Sequence, residues 1–264
     1  MKAQLRHSTY SSYAKNIELH INPRIGHIAL QKLQPEDLDT LYAQLLSDGK
    51  RNGAGGGLAP KTVRIIHGII RKALADAHRK GTVNRNVADL ADPPKVRLGG
   101  RTAMKVWSAE ELRTFLARIE YHDLYTAFFL VANTGMRRGE VLGLTWRNVD
   151  LDTARLVVSQ SVLSVDYEAS VADVKTATSR RTIDLDARTV ATLRAWRRRQ
   201  LEERLSTGRR DDEFVFARPD GRPVHPDYFS QCWDRLVAAS PLPRIRLHDL
   251  RHTHASILLT PACR

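Results

Sequence analysis

The feature that most constrains the fold is an apolar segment that ends at a glycine and is followed at once by two arginines. Residues 124–132 are mostly apolar, and residues 134–140 read TGMRRGE. This pattern predicts a buried helix that ends at Gly135 in the left-handed conformation. A second helix is predicted to open at about Met136, with its apolar stripe at Val141, Leu142 and Leu144.

This arrangement places Arg137 and Arg138 in the first turn of a helix. The placement is unfavourable by itself, because the N-terminus of a helix already carries partial positive charge. The conflict disappears if an anion binds there, since free N–H groups and guanidinium forks would converge on one phosphate. The alternative is that both arginines point into water, and the rest of the chain must decide between them.

Composition favours a nucleic-acid partner. The 264 residues carry a formal net charge of +13, and much of the excess is arginine. A membrane is disfavoured, because no apolar run approaches the roughly 20 residues of a span and no signal peptide opens the chain. Cys232 and Cys263 do not form a spaced framework. We therefore expect reduced thiols and a cytoplasmic protein.

Residues 1–91 are predicted to be helical. One helix is expected near residues 8–17, ended by Pro23 and Gly26, a second runs from Pro35 to Gly49, and a third begins at Pro60. The third helix has an apolar face and a basic face that includes Lys61 and Arg64. The basic face is compatible with ordinary solvation or with contact along a DNA backbone.

Residues 92–106 mix proline, glycine and basic residues, which predicts a linker to a second region, 107–264. A capping box, Ser108 to Glu111, opens that region. Strands are predicted at 156–158, 171–174, 182–185 and 214–216, forming a small antiparallel sheet with a polar, basic turn at 175–181. Asp186 is expected to cap a helix reaching about Leu205. Its predicted inward residues are Val190, Leu193, Trp196, Leu201 and Leu205. The fold class is therefore mainly α with a small antiparallel β-sheet (α+β).

Three separated motifs carry a resemblance to a known family. They are TGMRRGE at 134–140, KTATSRRTI at 175–183 and HDLRHTHA at 248–255. In this order and spacing the chain resembles the tyrosine recombinases of the phage integrase family. The resemblance implies a helical core-binding (SAM-like) DNA-binding domain at 1–91 and a catalytic domain at 107–264. It also implies double-stranded DNA as the partner, with a possible homo-tetramer on DNA, and a gene carried by a phage or another mobile element.

The resemblance assigns roles to individual residues. Arg137 and Arg251 would grip the non-bridging oxygens of the scissile phosphate, and Lys175 would protonate the departing 5′ oxygen. His248 would act in general acid–base transfer near the nucleophile, and Glu140 would orient Arg137. No cofactor and no metal are expected, because the arginines supply the positive charge. Further DNA-binding residues are predicted at Lys61, Arg64, Arg138, Arg180 and Arg181.

The histidines of the third motif allow another interpretation. His248 and His252 are four residues apart on one predicted helix, which is a spacing found in metal sites. The accompanying glutamate of the usual helical zinc motif is missing, and the sequence offers no third ligand. A metal site is therefore disfavoured, and His254 is expected to be a packed structural residue.

The chain departs from the family pattern at the nucleophile. All seven tyrosines precede Arg251, so none occupies the place of the attacking residue. Residues 261–264, PACR, match what a one-base deletion in GC-rich codons for the family-like segment after Leu-Leu-Thr would encode. We expect a frameshifted, truncated chain that binds DNA and does not cleave it, and that also lacks an arm-binding domain and part of the first core-binding helix. The alternatives are a non-catalytic DNA-binding protein that blocks an intact relative, or a decayed gene product.

Overall fold

A computed structural model describes residues 7–50, 55–96, 105–165, 167–173, 180–208 and 213–259. The chain divides into two compact units, residues 1–102 and 103–264. Most of the predicted linker, residues 97–104, lies outside the described residues. Among the helices that the structure describes, none combines the length and apolar character needed to cross a membrane.

The first unit is helical. Its helices are α1 (His7–Asn16), α2 (Asn22–Ile25), α3 (Pro35–Asp48) and α4 (Pro60–Arg79), with a π-helical turn at Ile17–Ile21 and 3₁₀ turns at Leu30–Lys32 and Val87–Asp89. The predicted starts at Pro35 and Pro60 are confirmed. The prediction that Pro23 ends the first helix is wrong. Pro23 lies in the first turn of α2, where a missing N–H costs no helical bond, and the backbone stays helical to Ile25.

The core of the first unit lies between α3 and α4. Both helices present apolar side chains at helical spacing, and those residues are at most 6% exposed. They are Leu38, Leu41, Tyr42 and Leu45 on α3, with Val63, Ile66 and Ile70 on α4. The opposite face of α4 carries its basic residues, and both Lys61 and Arg64 are exposed there.

The second unit is built from helices around an aromatic core. The helices are α5 (Ala109–Arg118), α6 (Tyr125–Thr134), α7 (Arg138–Leu142), α8 (Ala187–Thr207), α9 (Pro226–Ala238) and α10 (Leu247–Leu259). Trp107, Phe115, Phe128 and Trp233 pack together with ring centroids 4.8–5.5 Å apart. The capping box at Ser108 and the Asp186 cap on α8 are both confirmed. The free thiol of Cys232 is buried, whereas Cys263 lies outside the described residues.

Two small sheets flank these helices. The strands are β1 (Val149–Asp150), β2 (Arg155–Val158), β3 (Gln160–Val165), β4 (Glu168–Asp173) and β5 (Arg181–Asp184). Strands β1, β2 and β5 form one antiparallel sheet, and β3 and β4 form a separate hairpin. One sheet was predicted, because β3 was missed. Its buried residues, Val162 and Val165, are three apart instead of alternating.

Three further predictions are corrected by the structure. The strand at 214–216 is wrong, because within that segment only Phe214 forms a bridge, to Thr145. The inward face of α8 is also shifted, since Leu201 and Leu205 are 43% and 85% exposed. Leu193 is buried as predicted, whereas in the second half of α8 the buried residue is Gln200, whose side chain accepts a hydrogen bond from the Trp146 indole at 2.9 Å. The predicted start of the helix at Met136 is described with the site below.

Candidate active site

The centre of the site is Glu140, a carboxylate that is only 4% exposed. Its oxygens accept hydrogen bonds from the backbone N–H of Arg137 at 2.8 Å and from the Nη1 of Arg137 at 2.9 Å. They also accept bonds from Arg181, with Nη1 at 3.1 Å and Nη2 at 2.7 Å. Two guanidinium groups, one from the N-cap of α7 and one from β5, are therefore held by one buried carboxylate.

Glu140 is ionised at neutral pH. Burial by itself raises the pKa of this carboxyl, but the hydrogen bonds from Arg181 and Arg137 outweigh it and hold the pKa at about 2. The side chain of Arg137 is 57% exposed while it makes this pair. Much of its guanidinium therefore faces solvent and is available to a ligand.

The turn before α7 differs from the prediction by two residues. The helix begins at Arg138, and Arg137 is its N-cap with extended backbone angles (φ −73°, ψ 153°). The reason is Glu140, whose carboxylate bonds back to the N–H of Arg137 as in a capping box. The first turn of a helix thus contains one arginine, Arg138, and its Nη1 donates to Ser230 Oγ at 2.7 Å and to the carbonyl of Pro226 at 3.1 Å.

Gly135 ends α6 in the left-handed conformation (φ 59°), as predicted. Its carbonyl accepts a hydrogen bond from Nη1 of Arg251, which reaches it from α10. One turn further along α10, the Nδ1 of His254 is 2.9 Å from the carbonyl oxygen of Ala132. The third motif is thereby fixed directly on the first.

Electrostatics places three guanidinium groups in one neighbourhood. Burial lowers the pKa of Arg251, and the nearby cations Arg137 and Arg181 lower it further, while Glu140 raises it. Glu140 is the carboxylate that Arg137 and Arg181 contact, whereas Arg251 donates to the carbonyl of Gly135. Three positive charges against one negative charge leave an excess of two. Guanidinium groups are planar, and those with unused N–H donors can bind an anion with several oxygens, such as a phosphodiester.

His248 lies one turn before Arg251 on α10, is exposed, and stacks edge-on against His252 with ring centroids 5.2 Å apart. Burial lowers the pKa of His248, and the neighbouring His252, Arg246 and Arg251 lower it further, while Asp249 raises it. The imidazole is therefore mainly neutral at neutral pH and can accept a proton. In the described part of the chain, no group of three side chains suited to hold a metal ion was found.

The remaining predicted site residues differ in what the structure says of them. Lys175 lies outside the described residues. Arg180 is exposed immediately before β5, and Lys61 and Arg64 lie exposed on α4 of the first unit. Arg138 is half-buried against α9, and its role on DNA stays a prediction.

Two relationships were missed from the sequence. Arg181 was grouped with the DNA contacts, although it binds Glu140 through both nitrogens. The register that pairs Arg181 with Val158 aligns it for this contact, and that register involves two distant segments. His254 was expected to pack, which is confirmed, but its contact with the turn at Gly135 was not foreseen.

Comparison with known families decides the classification. Residues 105–262 match the model described as the phage integrase family, and residues 1–46 match the model for the N-terminal SAM-like domain of phage integrases. The chain belongs to the phage integrase family. The fold class predicted from the sequence, mainly helical with a small amount of antiparallel strand, is confirmed.

Two relatives of this integrase family member come from bacteria. It is 28% identical over 252 residues to the ICEBs1 integrase of Bacillus subtilis, covering 94% of this chain and 66% of the relative. It is 24% identical to a tyrosine recombinase XerC-like protein of Caldanaerobacter subterraneus, covering 94% of this chain and 64% of that one. The chain thus spans slightly less than two thirds of these relatives.

Solved structures of two other integrases have the same fold as this chain. The Tn1549 transposon integrase in complex with transposon right end DNA has a TM-score of 0.76 at 19% identity, over 97% of this chain and 82% of that one. A lambda integrase dimer bound to a COC′ core site has a TM-score of 0.68 at 17% identity, over 97% and 84% of the two chains.

Proposed function

We propose that this chain binds double-stranded DNA and activates one backbone phosphodiester for site-specific recombination. The observation that carries the proposal is that Arg137 and Arg181 bind the buried carboxylate of Glu140, while Arg251 binds the carbonyl of Gly135, two residues before Arg137. The excess positive charge is preorganised, because Glu140 and the carbonyl of Gly135 already fix the guanidinium groups. Preorganised donors are effective where charge develops in a transition state.

The chemistry is a transesterification at phosphorus. A tyrosine hydroxyl attacks the scissile phosphate, the bond to the 5′ oxygen breaks, and a 3′-phosphotyrosine forms. Arg137 and Arg251 stabilise the charge on the non-bridging oxygens in the phosphorane-like transition state, each contact lowering the barrier by roughly 2.7–4 kcal/mol. Glu140 orients Arg137. The covalent link conserves the bond energy, so religation to a partner strand needs no ATP and no metal cofactor.

Proton transfer is assigned to two further residues. The largely neutral imidazole of His248 is suited to accept the proton of the attacking hydroxyl. Lys175 donates a proton to the departing 5′ oxygen, from the segment between β4 and β5. Lys175 lies six residues before Arg181, which is on β5 and binds Glu140, and this proximity in sequence supports its assignment to the same site.

The nucleophile does not come from the region after Arg251 within these 264 residues, because all seven tyrosines precede that position. We therefore infer that the 264 residues alone bind DNA without cutting it. The alternative function follows from the same observation: a non-catalytic DNA-binding protein that occupies recombination sites and blocks an intact relative. A decayed gene product is the third possibility, and a cooperative thermal melt of the purified chain would contradict it.

The remaining parts of the proposal concern assembly on DNA. The helical domain at 1–91 would contact the DNA backbone through Lys61 and Arg64, and the domain at 107–264 would contact it through Arg138 and Arg180, with the basic linker at 92–106 adding positive charge. A lambda integrase tetramer has been crystallised on a Holliday junction. A homo-tetramer on DNA, acting in the cytoplasm, is the assembly we propose here.

The test uses DNA selected by the protein itself, because the target site is unknown. Duplexes retained from a random library would be rebuilt with a nick near each candidate scissile phosphate, so that cleavage traps a covalent adduct. We expect specific binding without an adduct from the 264 residues. An adduct should appear when the C-terminal segment of the ICEBs1 integrase is appended, and disappear again with Arg251→Ala. Failure to bind any duplex would contradict the function, and an adduct from the 264 residues alone would contradict the missing nucleophile.

Co-expression separates the two candidate functions. If the chain is a non-catalytic competitor, it should reduce recombination by an intact relative that uses the same selected site. A recombinase fragment with no such role would leave that recombination frequency unchanged. Arg137→Ala is the matched control, since it removes one phosphate contact while leaving the fold in place.

A further inference from the structure

His254 is held against the end of α6 by two independent contacts. Its Nδ1 is 2.9 Å from the carbonyl oxygen of Ala132. That carbonyl belongs to the last four residues of α6, whose acceptors have no partner further along the helix. His254 therefore supplies a hydrogen bond to the C-terminal end of α6 from a different helix, α10.

The second contact is between the imidazole ring and Gly135. A Cβ built on Gly135 would lie 2.7 Å from Cδ2 of His254, a distance that real Cβ contacts do not reach. Gly135 also has a φ of 59°, which strains any residue with a side chain. The ring thus fills the space that the missing side chain leaves, and glycine satisfies both the backbone angle and the ring contact.

Arg251, three residues earlier on α10, contacts the same turn. Its Nη1 donates to the carbonyl of Gly135. Arg137 follows Gly135 by two residues and is the N-cap of α7. The peptide at Gly135 therefore lies between the two arginines, and α10 holds it at two points, through Arg251 and through His254.

We propose that His254 is a positioning residue, which acts through the Gly135 turn to fix the separation of the guanidinium groups of Arg137 and Arg251. The inference rests on the proposed function, which assigns both arginines to one phosphate. His254 does not touch that phosphate. It fixes the register of α10 against α6, so that one arginine carried by α10 and one that follows α6 approach the same point.

The protonation state of His254 is consistent with this role. Burial lowers the pKa of His254, and the adjacent Arg251 lowers it further, whereas the bond to Ala132 raises it. A neutral ring with its proton on Nδ1 donates to Ala132 and adds no positive charge beside the arginines. Substituting it therefore changes the geometry of the site without changing its charge.

This charge neutrality gives the test its selectivity. The slope of log affinity against log salt counts phosphate contacts, at about 0.9 per contact on duplex DNA. We expect His254→Ala to reduce the slope of the 264-residue chain by about 1 to 2. His254→Asn keeps an N–H donor near the position of Nδ1, and His254→Phe keeps the ring without the donor. Each should recover part of the loss.

Two controls separate positioning from a general loss of stability. A partly unfolded sample lowers the amount of binding protein but does not change the slope, and thermal melting reports that loss directly. In an Arg137→Ala/Arg251→Ala background, His254→Ala should cause no further reduction in slope. A wild-type slope in His254→Ala, together with a lower Tm, would overturn the proposal and leave a structural role only.

A measurement without DNA keeps the inference separate from the proposed function. In the free chain, the Nε–Hε NMR signals of Arg137 and Arg251 should both shift in His254→Ala, and the shift should be smaller in His254→Asn. Unchanged signals would overturn the positioning role whatever the chain binds. Conversely, if Arg137→Ala and Arg251→Ala leave the slope of log affinity against log salt unchanged, the proposed function is contradicted. The role of His254 is then tested by the NMR measurement alone.

Discussion

Arg181 binds Glu140 through both terminal nitrogens, with Nη1 3.1 Å from Oε1 and Nη2 2.7 Å from Oε2. This paired geometry joins β5 to α7, two elements about 40 residues apart in the chain. It also brings a third guanidinium to the site, next to Arg137 and Arg251. The sheet therefore contributes to the charge of the site as well as to the core.

The first prediction concerns the fork of Arg181. A lysine at this position keeps the charge but cannot bond both oxygens of Glu140 in parallel, because its ammonium is a point donor. We expect Arg181→Lys to lower the free energy of unfolding by about 1–3 kcal/mol, measured by urea titration. The matched control is Arg180→Lys at the adjacent exposed position, which should stay within about 0.5 kcal/mol of the wild type. Equal losses of unfolding free energy in Arg181→Lys and Arg180→Lys would contradict the role of the paired hydrogen bonds from Arg181.

The second prediction is a pH dependence that originates at Glu140. Its pKa in the folded chain is about 2, below the ordinary value of 4.5, so its stabilisation is complete above about pH 5 and is lost as the pH falls toward 2. We expect the wild type to lose on the order of 3 kcal/mol across this window from this group. Glu140→Gln should be less stable at pH 7, and its free energy of unfolding should fall less steeply between about pH 5 and pH 2 than that of the wild type. An identical fall in the two proteins would contradict the assignment.

The sequence predicted the local parts of the fold well, because they depend on neighbouring residues. The start of α3 at Pro35, the capping box at Ser108 and the left-handed Gly135 each follow from a few adjacent side chains. The sequence did not predict strand β3, because the burial pattern of β3 is set by packing against α7. A Cβ at Gly139 would collide with Ser161 and the carbonyl of Val162, so the contact depends on residues about 20 positions apart.

Several residues of the candidate site could be predicted from the sequence, but the contacts between them could not. The first and third motifs indicated Arg137, Glu140 and Arg251, and these residues meet at the turn after α6. The two hydrogen bonds from Arg181 to Glu140 could not be predicted, since they depend on the strand register that pairs Arg181 with Val158. Likewise, the ring of His254 against Gly135 requires the packing of α10 on α6.

The third prediction concerns the hydroxyl of Thr253, a fully buried residue on α10. Its Oγ1 accepts a hydrogen bond from the backbone N–H of Trp107 at 3.1 Å. Thr253→Val keeps the shape but leaves that N–H without its partner, so we expect a loss of about 1–3 kcal/mol in unfolding free energy. Thr253→Ser keeps the hydroxyl and should lose less. If serine were the more damaging substitution, the methyl contact and not the hydrogen bond would be the dominant interaction.

The fourth prediction concerns the turn at Gly135. Gly135→Ala combines the strain of a positive φ with a collision against the His254 ring, and we expect it to cost more than the roughly 1 kcal/mol of the backbone term alone. Adding His254→Ala removes the collision but not the strain. The double variant should therefore be less destabilised than the sum of the two single variants, measured by thermal or urea unfolding. Strict additivity would show that the ring and the glycine are not coupled.

The central claim is that Arg137 and Arg251 hold the same backbone phosphate. The most direct measurement is a crystal structure of the chain bound to a duplex selected from the random library. We expect one phosphodiester whose non-bridging oxygens lie within about 3 Å of the guanidinium nitrogens of both Arg137 and Arg251. A complex in which the two arginines contact different phosphates, or in which neither touches the DNA backbone, would contradict it.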